Sequence, residues 1–446
     1  MGRRRRKPLP QEPINAKIES LAHDGKGIAH NHEGKVVFIS GALPGEEVLF
    51  KQTGRRRSYD SGEVVEVLSA SADRVEPPCP HFQGCGGCSL QQMAPLAQIQ
   101  FKQQSLLDSF ERLGKVVAET VLPPLTDVNQ GYRRKARLGV RYVPKKGGAL
   151  VGFREKSSGY LTVMDSCHVM VPSVGEQIGG LRALISQLEQ CNKIAQIEVA
   201  CDDTQSVLVF RNLEPLPEAD LQLLDQFGSE HNLNIYLQPK GPNSVVPLNE
   251  NHQTTLRYRL DHFNLEYQFV PTDFTQVNGA INQKMVPMAI ELLALTEDDV
   301  VLDLFCGLGN FTLPIATVAG EVVGVEGDEA LVQRARDNAV LNKIDHASFF
   351  AVDLQDEEMG GIWLNSRYNK VLLDPPRSGA LEIVQKMDKI QPQRIVYVSC
   401  NPATLARDAD ELVNNQGYRL VSAGVMDMFP HTAHVESIAL FVNTHA

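Results

Sequence analysis

Lys370-Val-Leu-Leu-Asp-Pro-Pro-Arg377 and Ile395-Val-Tyr-Val-Ser-Cys-Asn-Pro402 share one pattern: an apolar run of strand length, then a polar residue and a turn that contains proline. This pattern predicts a buried parallel strand whose carboxyl end opens onto a loop. In open α/β sheets, ligands bind at the carboxyl ends of the strands. We therefore predict a Rossmann-like α/β fold here, with Asp374 and Cys400 facing a common crevice.

A third short stretch, His434-Val-Glu-Ser437, lies beyond these strands and adds a second carboxylate, Glu436. A thiol and two carboxylates that converge on one cleft provide a nucleophile and a base. The alternative for Cys400 is a buried structural thiol. The Asn-Pro that follows Cys400, together with Glu436, favours a catalytic role.

A glycine turn follows a predicted strand in Val300-Val-Leu-Asp-Leu-Phe-Cys-Gly-Leu-Gly-Asn310, and the next predicted strand ends in Glu326, 19 residues after Gly307. An acid at that distance binds a ribose hydroxyl pair in nucleotide-binding α/β folds. NAD, FAD and S-adenosylmethionine all satisfy this pattern. The turn lacks the third glycine that lets a helix approach a pyrophosphate, which disfavours a dinucleotide. Asp353, at the end of a third predicted strand, suits a contact on the adenine side.

A methyl donor in this crevice would give Cys400 a chemical purpose. C5 of a pyrimidine is a poor nucleophile, and a thiolate that adds to C6 makes C5 reactive toward a methyl group. A base must then remove the C5 proton, and Glu436 is the candidate. Asp374 and Gln276 can orient the base and the donor, since an amide offers the uracil edge both a hydrogen-bond donor and an acceptor.

Three of the eight cysteines lie close together in Cys79-Pro-His-Phe-Gln-Gly-Cys85-Gly-Gly-Cys88, and Cys167 is the nearest later candidate for a fourth ligand. This density favours a metal site over three unrelated buried cysteines. Zinc and a [4Fe–4S] cluster both accept four thiolates, so spacing alone does not choose between them.

Charge is unevenly distributed in this chain of net charge −11. Residues 1–57 carry a balance of +6 and residues 131–156 a balance of +8, so the remainder sums to about −25. Two basic islands in an acidic chain indicate a polyanionic partner, although each could also be a solvated face. No apolar run is long enough to span a membrane, and the basic start is not followed by the apolar segment of a signal peptide. We therefore expect a cytoplasmic protein with no membrane partner.

Residues 14–69 show short β-runs separated by glycine turns, a spacing that suits a small five-stranded barrel of OB type. His23-Asp-Gly-Lys-Gly-Ile-Ala29 and Gly41-Ala-Leu-Pro-Gly-Glu46 closely resemble the TRAM domain, an RNA-binding module of RNA-modifying enzymes. The Arg-rich and Pro-rich residues 1–13 before it are predicted to form a flexible basic arm.

The second basic island contains a strand pattern at residues 132–142, in which apolar and basic side chains alternate. Period two places four cations on one exposed face, which we predict to bind RNA. These cations are Arg133, Lys135, Arg137 and Arg141. Because Cys167 ends the same predicted meander, a metal cluster there would attach the RNA-facing sheet to the barrel and would not act as a redox centre.

Three C-terminal motifs are similar to signatures of the RNA uracil-C5 methyltransferase family: Asp374-Pro-Pro-Arg-Ser-Gly379, Tyr397-Val-Ser-Cys-Asn-Pro402 and Phe429-Pro-His-Thr-Ala-His-Val-Glu436. With the TRAM-like barrel and the cysteine set, nearly the whole chain resembles the iron–sulfur branch of that family, which acts on 23S ribosomal RNA. The tRNA-specific branch lacks the cysteines, and the other ribosomal branch lacks the barrel.

The resemblance implies a role for each candidate residue. Cys400 would be the nucleophile and Glu436 the base. A [4Fe–4S] cluster would be held by Cys79, Cys85, Cys88 and Cys167. The residues implied around S-adenosylmethionine and the target base are Gln276, Phe305, Asn310, Glu326, Asp353 and Asp374. The partner would be 23S ribosomal RNA, and no obligate protein partner is indicated.

The predicted organisation has four segments. They are a flexible basic arm (1–13), a TRAM/OB-like RNA-binding barrel (14–69), a central α/β iron–sulfur and RNA-binding domain (70–265) and a Rossmann-like S-adenosylmethionine-dependent methyltransferase domain (266–446). One rival is an exocyclic-amine methyltransferase, but Arg377 stands where such enzymes usually place an aromatic residue, and Cys400 would be idle. A second rival, a non-catalytic RNA-binding factor, leaves the thiol and Glu436 unexplained.

Overall fold

A computed structural model of the chain describes residues 9–250, 252, 255–356, 361–365 and 368–444. The Arg-rich start of the predicted arm lies outside the described residues. The chain divides into two units, residues 1–101 with 430–434 and residues 102–429 with 435–446. None of the helices within the described ranges is long and apolar enough to cross a membrane.

The first unit contains a closed barrel of strands at residues 14–69. Its strands are β1 (Ile14–Lys17), β2 (Ser20–Leu21), β3 (Gly27–His30), β4 (Val36–Ser40), β5 (Glu47–Arg55) and β6 (Tyr59–Ser69). They follow the order β1-β5-β6-β4-β3-β2. Between β1 and β2, the amide of Ile18 donates to the Glu46 carbonyl and the amide of Glu19 donates to the Ile28 carbonyl. The two short strands therefore act as one strand that pairs on both sides, which closes the predicted five-stranded barrel.

The middle of the chain forms a second sheet and a separate hairpin. Its elements are α1 (Pro95–Ser109), β7 (Thr120–Val121), β8 (Lys135–Val143), β9 (Gly148–Gly152), α2 (Pro172–Gly175), α3 (Ile178–Gln187), β10 (Ile194–Cys201), β11 (Ser206–Asn212), α4 (Glu218–His231), β12 (Leu233–Leu237), β13 (Val246–Pro247), β14 (Leu256–Leu260) and β15 (Leu265–Phe269). The sheet order is β13-β12-β11-β10-β8-β9, and β14 pairs only with β15 among the described strands. The predicted basic strand is β8, at the centre of the antiparallel part of this sheet.

The C-terminal part is a mostly parallel sheet with helices. Its elements are α5 (Gly279–Leu293), β16 (Val300–Leu304), α6 (Thr312–Ala316), β17 (Glu321–Glu326), α7 (Glu329–Leu341), β18 (Ala347–Ala351), β19 (Lys370–Leu373), α8 (Leu381–Val384), α9 (Met387–Ile390), β20 (Arg394–Ser399), α10 (Pro402–Asp410), β21 (Tyr418–Met426) and β22 (Glu436–Asn443).

The strand order of this sheet is β18-β17-β16-β19-β20-β22-β21-β7, and only β22 runs antiparallel to its neighbours. The chain winds from β16 outward to one side and then, from β19, to the other. A crevice opens where the order reverses, beside the carboxyl ends of β16 and β19. The Rossmann-like fold predicted for this part of the chain is confirmed.

The strands that border the crevice are buried on both faces. Val301, Leu302 and Leu304 of β16 and Leu372 and Leu373 of β19 are fully buried. This burial explains why the sequence shows continuous apolar runs where a half-exposed strand would alternate. The predicted boundary at 265/266 falls at the start of β15, whose partner β14 precedes it. The domain boundaries stay predictions.

Candidate active site

The predicted site residues converge at one edge of the C-terminal sheet. Phe305 follows β16, Glu326 ends β17, Asp374 follows β19 and Cys400 follows β20. Because β22 runs in the opposite direction, its first residue, Glu436, lies at the same edge as these carboxyl ends. The structure thus brings the Cys400 thiol to the same edge of the sheet as three of the predicted carboxylates, those of Glu326, Asp374 and Glu436.

The strand register places Cys400 beside Glu436. Ser399 is the last residue of β20 and lies opposite Ser437 of β22. The Ser437 hydroxyl donates to the Ser399 carbonyl over 3.1 Å. The next residues along these two strands are Cys400 and Glu436, and the Glu436 charge raises the pKa of the Cys400 thiol, so the two groups lie near each other. Glu436 is 5% exposed and Cys400 is half-buried.

Burial dominates the electrostatics of this pair. Burial, with the Asp374 carboxylate, raises the pKa of Glu436 well above its ordinary value, while the cations of Lys102 and Arg377 oppose this shift. Burial, with the carboxylates of Glu436 and Asp374, raises the pKa of the Cys400 thiol to about 11, and Arg377 again opposes. In the protein without ligands, the Cys400 thiol therefore favours its protonated form at neutral pH, and burial shifts Glu436 in the same direction.

Hydrogen bonds join the loops that carry Asp374 and Cys400. The Asn401 side chain donates to the Arg377 carbonyl over 3.0 Å and accepts from the Ala403 amide, which caps α10. The buried Asp408 carboxylate accepts from the Ala380 amide (2.8 Å) and from the Tyr397 hydroxyl (2.7 Å). These bonds fix the turn after Cys400 on both sides.

The glycine turn after β16 forms one wall of the crevice. Phe305 adopts a left-handed backbone conformation (φ 65°), and its amide donates to the Val325 carbonyl over 2.8 Å. A non-glycine residue with positive φ stores strain, which is common at ligand sites. The Glu326 carboxylate accepts from the amides of Gly307 (3.1 Å) and Gly327 (2.7 Å). This carboxylate is held at the position where the sequence predicted a ribose contact.

Asn310 is held by residues that precede the sheet. Its side-chain amide exchanges two hydrogen bonds with that of Asn282, at 2.9 and 3.0 Å. The Tyr258 hydroxyl also donates to the side-chain oxygen of Asn310 over 2.9 Å. The β14–β15 hairpin and α5 therefore determine how Asn310 is presented to the crevice.

The remaining predicted crevice residues differ in how firmly they are held. The Gln276 amide lies 3.5 Å from the Asp374 carboxylate, which brings these two predicted residues together. Asp353 is exposed beyond β18, and its carboxylate accepts from the Gln355 amide over 3.0 Å.

Lys135 differs from its prediction as an exposed RNA contact. Its ammonium group donates to the carbonyls of Pro271 and Asp273, in the loop that leads to Gln276. The residue is half-buried, and burial lowers the pKa of its ammonium group. The period of β8 predicted the face of Lys135 correctly, but the loop that covers this end of the strand is not visible in the local pattern. Lys135 therefore positions the Gln276 loop.

The other predicted RNA contacts are exposed to different degrees. Arg137 and Arg141 are exposed, and Arg137 pairs with Glu198 at 3.0 Å. Arg133 precedes β8, is half-buried and donates to the Lys135 carbonyl over 3.0 Å. The expected face of four exposed cations is thus reduced to two on β8. Contact between RNA and any of these side chains stays a prediction.

The predicted cluster ligands lie in both units. Cys79 and Cys85 are buried and Cys88 is half-buried in the first unit, where the Gly87 amide donates to the Cys85 sulfur over 3.4 Å. Cys167 is buried in the second unit. Within the part of the chain that the structure describes, no group of three His, Cys, Asp or Glu side chains is arranged to hold a metal ion. The thiols and the amide–sulfur bond suit a cluster chemically.

A buried ion pair beside Glu436 was not predicted from the sequence. Lys102 of α1 is fully buried, and its ammonium group donates to the Asp427 carboxylate (2.7 Å) and the Phe429 carbonyl (2.9 Å). Asp427 directly follows Met426, which lies opposite Glu436 in the β21–β22 pair. Lys102 stands at helical spacing between the buried Ile99 and Leu106, and a cation within an apolar stripe was the available signal.

Asp303 was also missed. It is fully buried in β16, and its carboxyl accepts from the Thr312 hydroxyl over 2.5 Å. Burial raises the pKa of Asp303 to about 8, the Thr312 hydrogen bond opposes this, and the charges of Asp374 and Glu326 add to it. The signal was an acid inside the apolar run from Val300 to Phe305.

Comparisons with known proteins match the whole chain. A family model described as tRNA (Uracil-5-)-methyltransferase matches residues 181–444, and a TRAM domain model matches residues 12–51. A protein of Alkalilimnicola ehrlichii named 23S rRNA (uracil(1939)-C(5))-methyltransferase RlmD is 52% identical over 441 residues, 99% of each chain. A protein of Nitrosococcus oceani with the same name is 53% identical over 443 residues, 99% of this chain and 98% of its own.

One solved structure shares the overall fold. The Pyrococcus abyssi tRNA (uracil-54, C5)-methyltransferase, in complex with S-adenosyl-L-homocysteine, matches with a TM-score of 0.72 and 24% identity. The match covers 96% of this chain and 100% of that one. At this identity the match supports the fold, including both the TRAM region and the Rossmann-like sheet.

We expect Lys102→Met to raise the pKa of Glu436 further, because the variant removes a nearby cation that lowers this pKa. Carboxyl ¹³C NMR titration, with Glu436→Gln to assign the signal, measures the shift. Lys102→Met leaves Asp427 buried without its cation, which should lower the free energy of unfolding by about 3–5 kcal/mol. Lys102→Met/Asp427→Asn removes both charges and should keep the shift with less loss of stability. An unchanged Glu436 midpoint in both variants would refute the assignment.

Proposed function

Because this chain belongs to the family of 23S rRNA (uracil-C5)-methyltransferases, we propose that it methylates C5 of a uridine in 23S ribosomal RNA, with S-adenosylmethionine as donor. The match to the family model and to these relatives confirms the family predicted from the motifs. The relatives are named for uracil 1939 of 23S rRNA, and we propose the equivalent uridine as the target of this protein. The observation that supports the proposal is the end of the β20–β22 pairing, where Cys400 follows Ser399 and the buried Glu436 precedes its partner Ser437.

We propose that the donor binds in the crevice between β16 and β19. Glu326 would bind the ribose hydroxyls and Asp353 the adenine side, while Phe305 and Asn310 border the donor. Gln276 and Asp374, 3.5 Å apart, would lie between the donor and the target base. Bound S-adenosylmethionine supplies an electrophilic methyl group on a sulfonium, and the carboxylates along this crevice favour a cationic ligand.

The proposed reaction begins at Cys400. Its thiol gives up its proton to water, the sulfur forms a bond to C6 of the uracil, and the C5–C6 π electrons move toward C4 and its oxygen as an enolate. C5 then takes the methyl group from the sulfonium of the donor, whose carbon–sulfur bond breaks to leave a neutral thioether. The Glu436 carboxylate removes the C5 proton, the C5–C6 double bond re-forms, and the C6–sulfur bond breaks to release the thiolate. The chain thus uses one nucleophile and one base, and both return to their active, deprotonated forms once Glu436 loses its proton to water.

The protonation states in the ligand-free site set a requirement for this mechanism. Both groups act in their deprotonated forms, and burial raises the pKa of each. Arg377 lowers both pKa values, and Lys102 lowers that of Glu436, so these cations favour the active forms. Their place in the mechanism is electrostatic, because neither needs to contact the reacting atoms.

The target uracil must leave its base stack to reach this site. C5 and C6 have to approach a half-buried thiol and a buried carboxyl, which a base within a helix cannot do. We propose that the segment 14–69 and the central segment 70–265 bind the surrounding RNA, with Arg133, Arg137 and Arg141 as phosphate contacts. The methyltransferase domain would be residues 266–446.

We also propose that Cys79, Cys85, Cys88 and Cys167 hold a [4Fe–4S] cluster. The support is the chemistry of the donors: three cysteines within ten residues, a fourth that is buried, and an amide that donates to the Cys85 sulfur. The cluster takes no part in the proposed reaction. Its role would be structural: the bonds from four thiolates to the cluster would hold these segments of the chain together.

We predict that Glu436→Gln accumulates a covalent complex with RNA. Without the base, the methylated adduct keeps its C5 proton, so the C6–sulfur bond cannot be released by elimination. The variant would be incubated with S-adenosylmethionine and a 23S rRNA fragment and then run on a denaturing gel. The protein–RNA band should vanish in Glu436→Gln/Cys400→Ala and persist in Glu436→Gln/Cys191→Ala.

Other outcomes of this experiment would overturn parts of the proposal. Methyl transfer by Cys400→Ala at the wild-type rate would exclude the thiol mechanism and favour methylation of an exocyclic amine. Binding of RNA without methylation by the wild-type protein would favour a non-catalytic binding factor.

We expect Cys167→Ser to remove the proposed cluster and weaken RNA binding together. Protein purified without oxygen would be assayed for iron, for acid-labile sulfide and for the broad visible absorbance of an iron–sulfur centre. Cys191→Ser, at a half-buried cysteine outside the proposed ligand set, is the control and should keep all three signals. Zinc in place of iron would correct the metal, and unchanged RNA affinity in Cys167→Ser would refute the structural role.

A further inference from the structure

A short hairpin at residues 153–162 folds over strand β8. The Thr162 amide donates to the Phe153 carbonyl, and the Glu155 amide donates to the Tyr160 carbonyl, both over 2.9 Å. Near its end, Leu161 reaches Gly139 of β8: a Cβ on Gly139 would come within 2.7 Å of the Leu161 side chain. The glycine is therefore the place where the hairpin rests on the strand.

The hairpin rests on the face of β8 that carries its exposed arginines. Leu138 and Val140 are buried on one face, so Arg137, Gly139 and Arg141 point to the other. Each arginine is two residues, or about 7 Å along the strand, from the glycine. Leu161 thus sits between the two guanidinium-bearing positions, and the residue next to it on the hairpin is Tyr160.

Tyr160 is unusual because its ring is held out in water. The residue is 67% exposed, although the hairpin that carries it is fixed by backbone hydrogen bonds and by the Leu161 contact. Single exposed apolar side chains are ordinary on a protein surface, so the neighbours of this ring decide what it can bind. The neighbouring Val163 is also exposed, at 46%.

The surroundings of Tyr160 are basic. Exposed cations lie on the hairpin at Arg154 and Lys156 and on the turn after β8 at Lys145 and Lys146. The acid of this segment, Glu155, accepts from the Ser158 hydroxyl over 2.5 Å and lies 3.9 Å from the Lys146 ammonium. An aromatic ring among cations complements a polyanion that also carries planar bases, whereas an acidic protein surface would use only the cations.

We propose that Tyr160 is a stacking platform for an unpaired base of the RNA, with Arg137 and Arg141 binding the adjacent phosphates. The proposal rests on the proposed function, because it takes single-stranded RNA as the partner. Stacking on an aromatic ring tolerates any base, while arginines bind phosphate oxygens in pairs. The site would hold RNA outside the catalytic crevice and so contribute to affinity and not to the chemical step.

The test compares Tyr160→Ala with two controls, Tyr160→Phe, which keeps the ring, and Val163→Ala, which removes a neighbouring exposed apolar side chain. Fluorescence anisotropy would give Kd for a single-stranded 23S rRNA fragment, and methylation assays would give kcat and KM. Tyr160→Ala should raise Kd and KM about fivefold or more, with kcat at saturating RNA unchanged. Both controls should stay near the wild-type values.

Two further measurements separate stacking from charge. Polyphosphate, which has no bases, should bind wild type and Tyr160→Ala equally. In Tyr160→Trp, the emission of the new indole should be quenched by RNA and not by polyphosphate. The natural tryptophan, Trp363, is buried, so the change in emission reports on position 160. Arg137→Ala/Arg141→Ala should reduce the salt dependence of RNA binding by a slope of about 1.4.

The outcomes distinguish this inference from the proposed function. If wild type methylates the fragment and Tyr160→Ala binds it as tightly, the stacking site is wrong and the proposed function stands. Equal weakening by Tyr160→Phe, or loss of polyphosphate binding in Tyr160→Ala, would also overturn it. If wild type neither binds nor methylates any 23S rRNA fragment, the proposed function fails and the inference fails with it.

Discussion

The site depends on the antiparallel entry of β22 between β20 and β21. If β22 ran parallel to its neighbours, its first residue would lie at the far edge of the sheet, and Glu436 could not meet Cys400. The register is equally important, because a shift by one residue would turn Glu436 to the other face of the sheet. The Ser399–Ser437 pairing and the hydrogen bond between these two residues therefore hold the thiol and the carboxyl together.

Burial gives this geometry its electrostatic character. Four carboxyl groups lie near this edge of the sheet, those of Asp303, Glu326, Asp374 and Glu436. Burial raises the pKa of Asp374 to about 7, that of Asp303 to about 8 and that of Glu436 well above its ordinary value. Lys102 and Arg377 offset only part of the shift at Glu436. A positively charged ligand would stabilise the ionised carboxylates, and by linkage the ionised carboxylates would stabilise the ligand. A sulfonium donor meets this requirement better than a dinucleotide, whose pyrophosphate would add negative charge.

Local patterns predicted the strand ends and failed where distant parts of the chain meet. Asp374 and Cys400 were found because any polar residue after a buried parallel strand faces the same edge. The period of β8 could not show that the loop at residues 271–273 covers Lys135. Lys102 was missed because its partner, Asp427, lies 325 residues away in sequence. A buried cation acquires its role from packing, and only its misfit with the surrounding apolar stripe is local.

The acidic remainder of the chain matters as much as its basic islands. Phosphate contacts are long-ranged and insensitive to sequence, so a uniformly basic protein would bind RNA in many orientations. With about −25 of charge outside the two islands, most of this surface repels RNA. For a protein proposed to act on one uridine, such repulsion disfavours encounters that do not engage the islands. The net charge of −11 is then a source of orientation, and it does not argue against an RNA substrate.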